Sequence, residues 1–114
     1  MGVELHITRG EFWADNEQSE ISLNEWLAYV AGDPELRLRP ENGPGFAQWI
    51  GPSKYAEPWL DWAIGNVSTK WPDTALYGKM LCIAVTLNAR VQDDDGTVYT
   101  TNDQWVFEPK FPGR

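Results

Sequence analysis

One histidine, His6, and one cysteine, Cys82, are all this chain offers for imidazole or thiol chemistry. A Ser-His-Asp or Cys-His site needs an imidazole base, so any such site has to recruit His6. The alternation around it places His6 on the polar side of an edge or first strand. Cys82 lies in an apolar helical stretch, where a lone cysteine is expected to be buried and inert. A structural zinc needs about four Cys or His ligands, more than the chain contains, so no metal site is expected. The run Asp93-Asp94-Asp95-Gly96 suggests calcium at first sight. Counted as an EF-hand loop from Asp93, however, it places Val98 where the loop needs Gly and Gln104 where it needs a bidentate Glu. Asp-Gly is a strong hairpin signal, and a solvated turn is the expectation here. No G-x-x-x-x-G-K or G-x-G-x-x-G spacing occurs, so nothing cradles a nucleotide phosphate.

Carboxylates are the remaining reactive groups, and with 17 acidic residues accidental pairs are inevitable. Asp61 stands out because Trp59 and Trp62 flank it, and sugar sites often set a carboxylate among aromatic rings. Asp61, Trp59 and Trp62 therefore form an alternative site for a carboxylate-dependent enzyme acting on a carbohydrate-like substrate. The competing reading is a surface Asp on the polar side of a strand. No catalytic residue and no cofactor are assigned.

Charge and aromatic content favour binding. The formal net charge is −8, which opposes binding to nucleic acid or to anionic membrane and attracts basic partners. Between Arg9 and Arg37 there is no Lys or Arg, yet Glu11, Asp15, Glu17, Glu20, Glu25, Asp33 and Glu35 fall there. With Trp13 they form the expected docking surface for a basic protein, against the plainer reading of a solvated acidic face. The seven tryptophans are expected to serve mostly in the core, and any exposed ones as interface anchors.

The 114 residues suit a single domain spanning 1–114. Val3, Leu5 and Ile7 alternate with polar neighbours, as in a half-buried strand. Ser22 and Glu25 form a capping box ahead of the stripe Leu23, Trp26, Leu27 and Val30. Gly32, in a left-handed cap, and Pro34 end that helix. Short strands are expected over Leu36 to Arg39 and Phe46 to Ile50. A hairpin over Trp59 to Trp71 is expected to turn at Gly65-Asn66. Pro72-Asp73 opens the longest helix, whose stripe of Leu76, Met80, Ile83, Ala84 and Leu87 is widened by Tyr77, Leu81 and Val85. That helix should be central, with Gly78 marking a close approach and Asn88 a left-handed cap. A second hairpin follows around Asp93 to Gly96. Trp105 to Phe107 extends the sheet, and the end, Glu108 to Arg114, is loose. The expected fold class is α+β, with two helices packed on one face of a mostly antiparallel sheet.

The strand Val3 to Thr8, Glu25-Trp26-Leu27, Asp33-Pro34-Glu35-Leu36, Leu87 to Gln92 and Asp94-Asp95-Gly96 occur in an order that resembles a group of short acidic bacterial proteins. Those are mostly uncharacterised, and some resemble immunity proteins that neutralise a cognate toxin. The resemblance implies a small binding protein that occludes a basic toxin or other protein partner through an acidic face. It carries over no binding residue. No signal peptide or span of about 18 apolar residues is read in the sequence, so a cytoplasmic location is expected. Oligomeric state is not legible.

Overall fold

The structure is a computed structural model that describes residues 3–110. The expectation for residues 111–114 lies outside the described residues. Both helices are started by the side chains that the sequence predicts. At α1 (Leu23–Ala31) the Ser22 hydroxyl accepts from the Glu25 N–H at 3.0 Å, and the Glu25 carboxylate accepts from the Ser22 N–H at 3.0 Å. This reciprocal pair satisfies two amides that a helix start leaves open. At α2 (Thr74–Thr86) Asp73 caps by accepting from Leu76 N–H. Its second oxygen accepts from the Ser53 hydroxyl and the Lys54 N–H, so one buried carboxylate both starts α2 and pins the preceding loop.

Seven strands form one sheet. In chain order they are β1 (Glu4–Thr8), β2 (Leu36–Leu38), β3 (Phe46–Trp49), β4 (Trp59–Ala63), β5 (Asn66–Lys70), β6 (Arg90–Gln92) and β7 (Val98–Tyr99). Their spatial order is β2-β3-β4-β5-β1-β6-β7, and each pairing is antiparallel. The expected α+β class holds. Of the two expected places for β1, edge or first strand, the edge is overturned: it is first in the chain but interior, inserted between β5 and β6. Nothing local to β1 encodes those long-range pairings.

Cross-strand partners share a face. Val91, Ile7, Val67 and Trp62 are successive register partners across β6, β1, β5 and β4. The first three of these are buried in the core with Leu5, Leu60, Trp26, Val30, Leu76, Tyr77, Met80 and Ile83, and Trp62 packs against them. Both helices therefore cover this side. On the other side, Gln92, His6, Ser68, Asp61 and Phe46 are successive partners across β6, β1, β5, β4 and β3. This row is largely polar and faces away from the helices.

Several local details depart from the sequence expectations. The β4–β5 turn is Ile64-Gly65, at φ 50° and 78°, rather than Gly65-Asn66. Asn66 is drawn into the strand because its side-chain amide donates to the Trp13 carbonyl. Gly32 ends α1 at φ −94°, outside the left-handed region, whereas Asn88 does adopt it at φ 55°. Cys82 and Val85 are exposed, because the apolar surface of α2 is wider than the sheet beneath it can cover. Gly78 does mark a close approach, to Asn102. Trp105 to Phe107 forms no strand. It lies along the start of α2, where the Trp105 indole donates to Pro72 O and the Thr74 N–H to Phe107 O. No helix among the described residues is long and apolar enough to cross a membrane.

Candidate functional site

Strands β1, β4 and β5 each send alternate side chains to the helix-free face, and a loop closes one side of what they enclose. The result is a cleft of about 390 Å³ lined by Glu4 and His6, Trp59 and Asp61, Asn66 and Ser68, the loop residues Trp13, Ala14 and Asn16, and Ala63-Ile64 at the hairpin end. Its walls hold two carboxylates and two indoles but no Lys or Arg. Trp59 is braced by Phe46, its ring 5.6 Å away.

Trp13 is the wall that the loop supplies, and four contacts hold it. Its ring stacks on His6, its N–H donates to Gln92 Oε1, its indole donates to the Asp94 carbonyl, and its own carbonyl accepts from Asn66. Asn16, itself buried, donates to the Ile64 carbonyl and to Asn66 Oδ1, tying the loop to the β4–β5 turn.

Beneath Trp13 runs a hydrogen-bond chain. His6 is 2 % exposed; its Nδ1 lies 2.8 Å from Ser68 Oγ and its Nε2 2.9 Å from Asp94 Oδ1. A carboxylate only accepts, so in the neutral ring Nε2 carries the proton and Nδ1 accepts from the Ser68 hydroxyl. Asp94 Oδ2 accepts from the Glu4 N–H as well. Serine, imidazole and carboxylate thus stand in the order of a nucleophilic relay. Acyl transfer also needs N–H donors where the oxyanion forms. Ser68 sits in a strand paired on both sides, the Asn16 and Asn66 amides donate to carbonyl oxygens, and Asp61 is the register partner of Ser68. A negative charge developing at Ser68 would meet another carboxylate. The same contacts tie Trp13 and the β6–β7 turn to the sheet.

Asp61 is the chemically distinctive group. Burial pushes its carboxyl above the ordinary range, only partly offset by the Trp62 N–H. Trp62 itself, in the sequence-based trio with Asp61 and Trp59, faces the helices and donates to the Ile21 carbonyl. Alternation along β4 separates it from the other two.

The eight acidic-surface residues divide. Trp13 lines the cleft. Glu11, Asp15, Glu17 and Glu20 are exposed on the loop that follows β1. Glu25 pairs with Arg9 at 2.7 Å, while Asp33 and Glu35 share Lys79 at 2.7 and 2.8 Å. Those three carboxylates are thus engaged by two cations beside the helices. At the cleft their place is taken by Glu4 and Asp61, which lie far apart in the sequence. In the Asp93–Asp95 turn, Asp93 accepts from the Asp95 and Thr97 amides and the Tyr99 hydroxyl, so the carboxylate caps its own hairpin.

Sequence reasoning missed Ser68, Asn16, Asn66, Glu4 and Ile64 as cleft residues. For Ser68, Asn66 and Glu4 the only signal is the alternation in β5 and β1, and it becomes informative once β1 is known to pair with β5; Asn16 and Ile64, in a loop and a turn, carry none. Comparison with family models, curated proteins and solved structures found no match to this chain.

Proposed function

We propose that this protein is a binding module that engages a basic protein partner, with a Lys or Arg side chain of that partner entering the cleft between Trp13 and Trp59. The observation that carries this reading is Asp61. It is a carboxylate held where burial disfavours its charge, in a cleft lined by a second acid, two indoles and no Lys or Arg. An entering cation relieves that penalty directly, and the indole faces attract it through their quadrupoles. The net charge of −8 steers such a partner toward the molecule before contact. A toxin-neutralising role, occluding a basic toxin in the cytoplasm, is the biological form of this reading, and it rests on the resemblance in element order.

Titration of isotope-labelled protein with an oligo-arginine peptide tests it. The indole N–H resonances of Trp13 and Trp59 should move, and those of Trp26 and Trp49 on the helix side should not. Added salt should reverse the shifts. Shifts spread evenly over the surface, or none at the two cleft indoles, would refute the proposal.

A second reading is favoured by the concavity around Asp61. A carboxylic acid of raised pKa facing an aromatic wall, with Glu4 lining the same cleft, suits the acid of a carbohydrate-cleaving pair. It requires turnover of a glycoside that Asp61→Asn abolishes. Binding of the glycoside without turnover ends it.

A further inference from the structure

At the lip of the cleft the backbone and the side chain are in conflict. Ile64 takes the first place of the two-residue β4–β5 turn at φ 50°, and Gly65 follows at φ 78°. Both places of this turn call for positive φ, which suits Asn-Gly or Gly-Gly. A β-branched residue there is a true outlier, because its branched Cβ crowds the backbone. Burial gives no return for the strain: Ile64 is 79 % exposed, the most exposed of the large apolar residues on β4, β5 and their turn. The surroundings nonetheless enforce the conformation. Asn16 donates to the Ile64 carbonyl, the Gly65 carbonyl accepts from Ile21 N–H, and Glu20 and Asn16 press on Gly65 so closely that a Cβ would not fit. A conformation that costs folding energy and is held from several sides points to use at a surface.

We infer that Ile64 is the apolar half of a two-part recognition site, resting on the cation-binding reading of the cleft. The occupant is a segment of a basic partner that presents an Arg or Lys to Asp61 and an adjoining apolar side chain to Ile64. Charge complementarity specifies the first half, since Glu4 and Asp61 line the cleft and no Lys or Arg does. Proximity specifies the second, since Ile64 is itself a lining residue of the same cleft. An exposed aliphatic side chain beside a charged cleft supplies the desolvated contact that a lone surface ion pair lacks.

Capped tripeptides Leu-Arg-Leu, Gly-Arg-Gly and Leu-citrulline-Leu are the probes, with binding read from the Trp13 and Trp59 indole resonances. The wild-type protein should bind Leu-Arg-Leu about tenfold more tightly than Gly-Arg-Gly, the gain expected from partly burying apolar side chains. In Ile64→Asn the preference for Leu-Arg-Leu over Gly-Arg-Gly should vanish, and the urea midpoint should rise because the strain is relieved. A Leu preference that survives in Ile64→Asn overturns the inference and leaves the cation reading standing, as does a fall in the urea midpoint. Equal binding of the Arg and citrulline peptides, or binding of neither Arg peptide, overturns the cation reading and this inference with it.

Discussion

The imidazole of His6 lies 3.9 Å from the indole of Trp13, with the two planes 7° from parallel. The only histidine is therefore the platform on which the cleft wall rests, and its two nitrogens fix the platform in the sheet plane through Ser68 and Asp94. His6→Phe keeps a flat ring for stacking but leaves the half-buried Ser68 hydroxyl without its acceptor and frees Asp94. The expected loss is about 1–2 kcal/mol, the usual cost of an unsatisfied polar group at a partly wet site. Urea unfolding measures it, and the Trp13 indole resonance should broaden in the same variant. A His6→Phe protein as stable as wild type would show that stacking alone holds the wall.

Lys79 joins both carboxylates that follow α1. Its ammonium contacts Asp33 and Glu35, and with Asp33 it forms a pair whose side chains are only 13 % and 10 % exposed. Burial works against the Lys79 charge, yet its bonds to the two carboxylates outweigh that and hold its pKa above the ordinary value. Lys79→Met should cost about 3 kcal/mol, because it leaves Asp33 buried without its counter-charge. Glu35→Ala, at the half-exposed end, should cost under about 1 kcal/mol. A double-mutant cycle between Lys79 and Asp33 by thermal unfolding checks the difference. A coupling no larger than that between Lys79 and Glu35 would contradict it.

How far these features can be read in the sequence depends on how local their causes are. Ser22 with Glu25, Asp73 ahead of α2, and the alternation of Leu5 and Ile7 act within a few residues, and each produces the expected element. The cleft has no such local cause. Asp61 and Ser68 face each other across the β4–β5 hairpin, but His6 joins them because β1 enters the sheet between β5 and β6, a pairing that spans most of the chain. The acidic run from Glu11 to Glu35 reads as one feature, but Arg9 pairs with Glu25 and Lys79 is shared by Asp33 and Glu35. Asp61 and Trp59 were recognisable from aromatic adjacency. Trp62 shares the adjacency but takes the opposite face, as strand alternation requires.

Glu25 gives the protein a defined acid sensitivity. The Arg9 guanidinium, then the Ser22 N–H, lower its carboxyl from an ordinary 4.5 to about 2. A carboxylate whose folded pKa is depressed contributes stability above its unfolded value and loses it as pH falls toward the folded one. Wild type should therefore exceed Glu25→Gln in melting temperature at pH 7, since Gln retains the capping geometry without the charge. The gap should close between about pH 4.5 and 2. Melting curves across that range decide it, and a gap independent of pH would assign the Glu25 contribution to the cap alone.

Asp61 should show the opposite sign. Burial raises its pKa above the ordinary 3.8, so the folded state holds the proton more tightly than the unfolded chain does. Stability from this group is then greatest below pH 3.8 and declines as pH rises through the raised folded value, leaving a penalty at neutral pH. Asp61→Asn, which removes the charge but keeps the shape, should melt higher than wild type at pH 7 and match it in acid. The same substitution should weaken binding of Leu-Arg-Leu, because the charge that burdens the free protein is the one that receives the cation. Melting temperatures measured at both pH values, with and without the peptide, test the two halves together. An Asp61→Asn protein that is less stable at pH 7 would mean that Asp61 already has a favourable partner within the fold, and that the cleft has no unmet demand for positive charge.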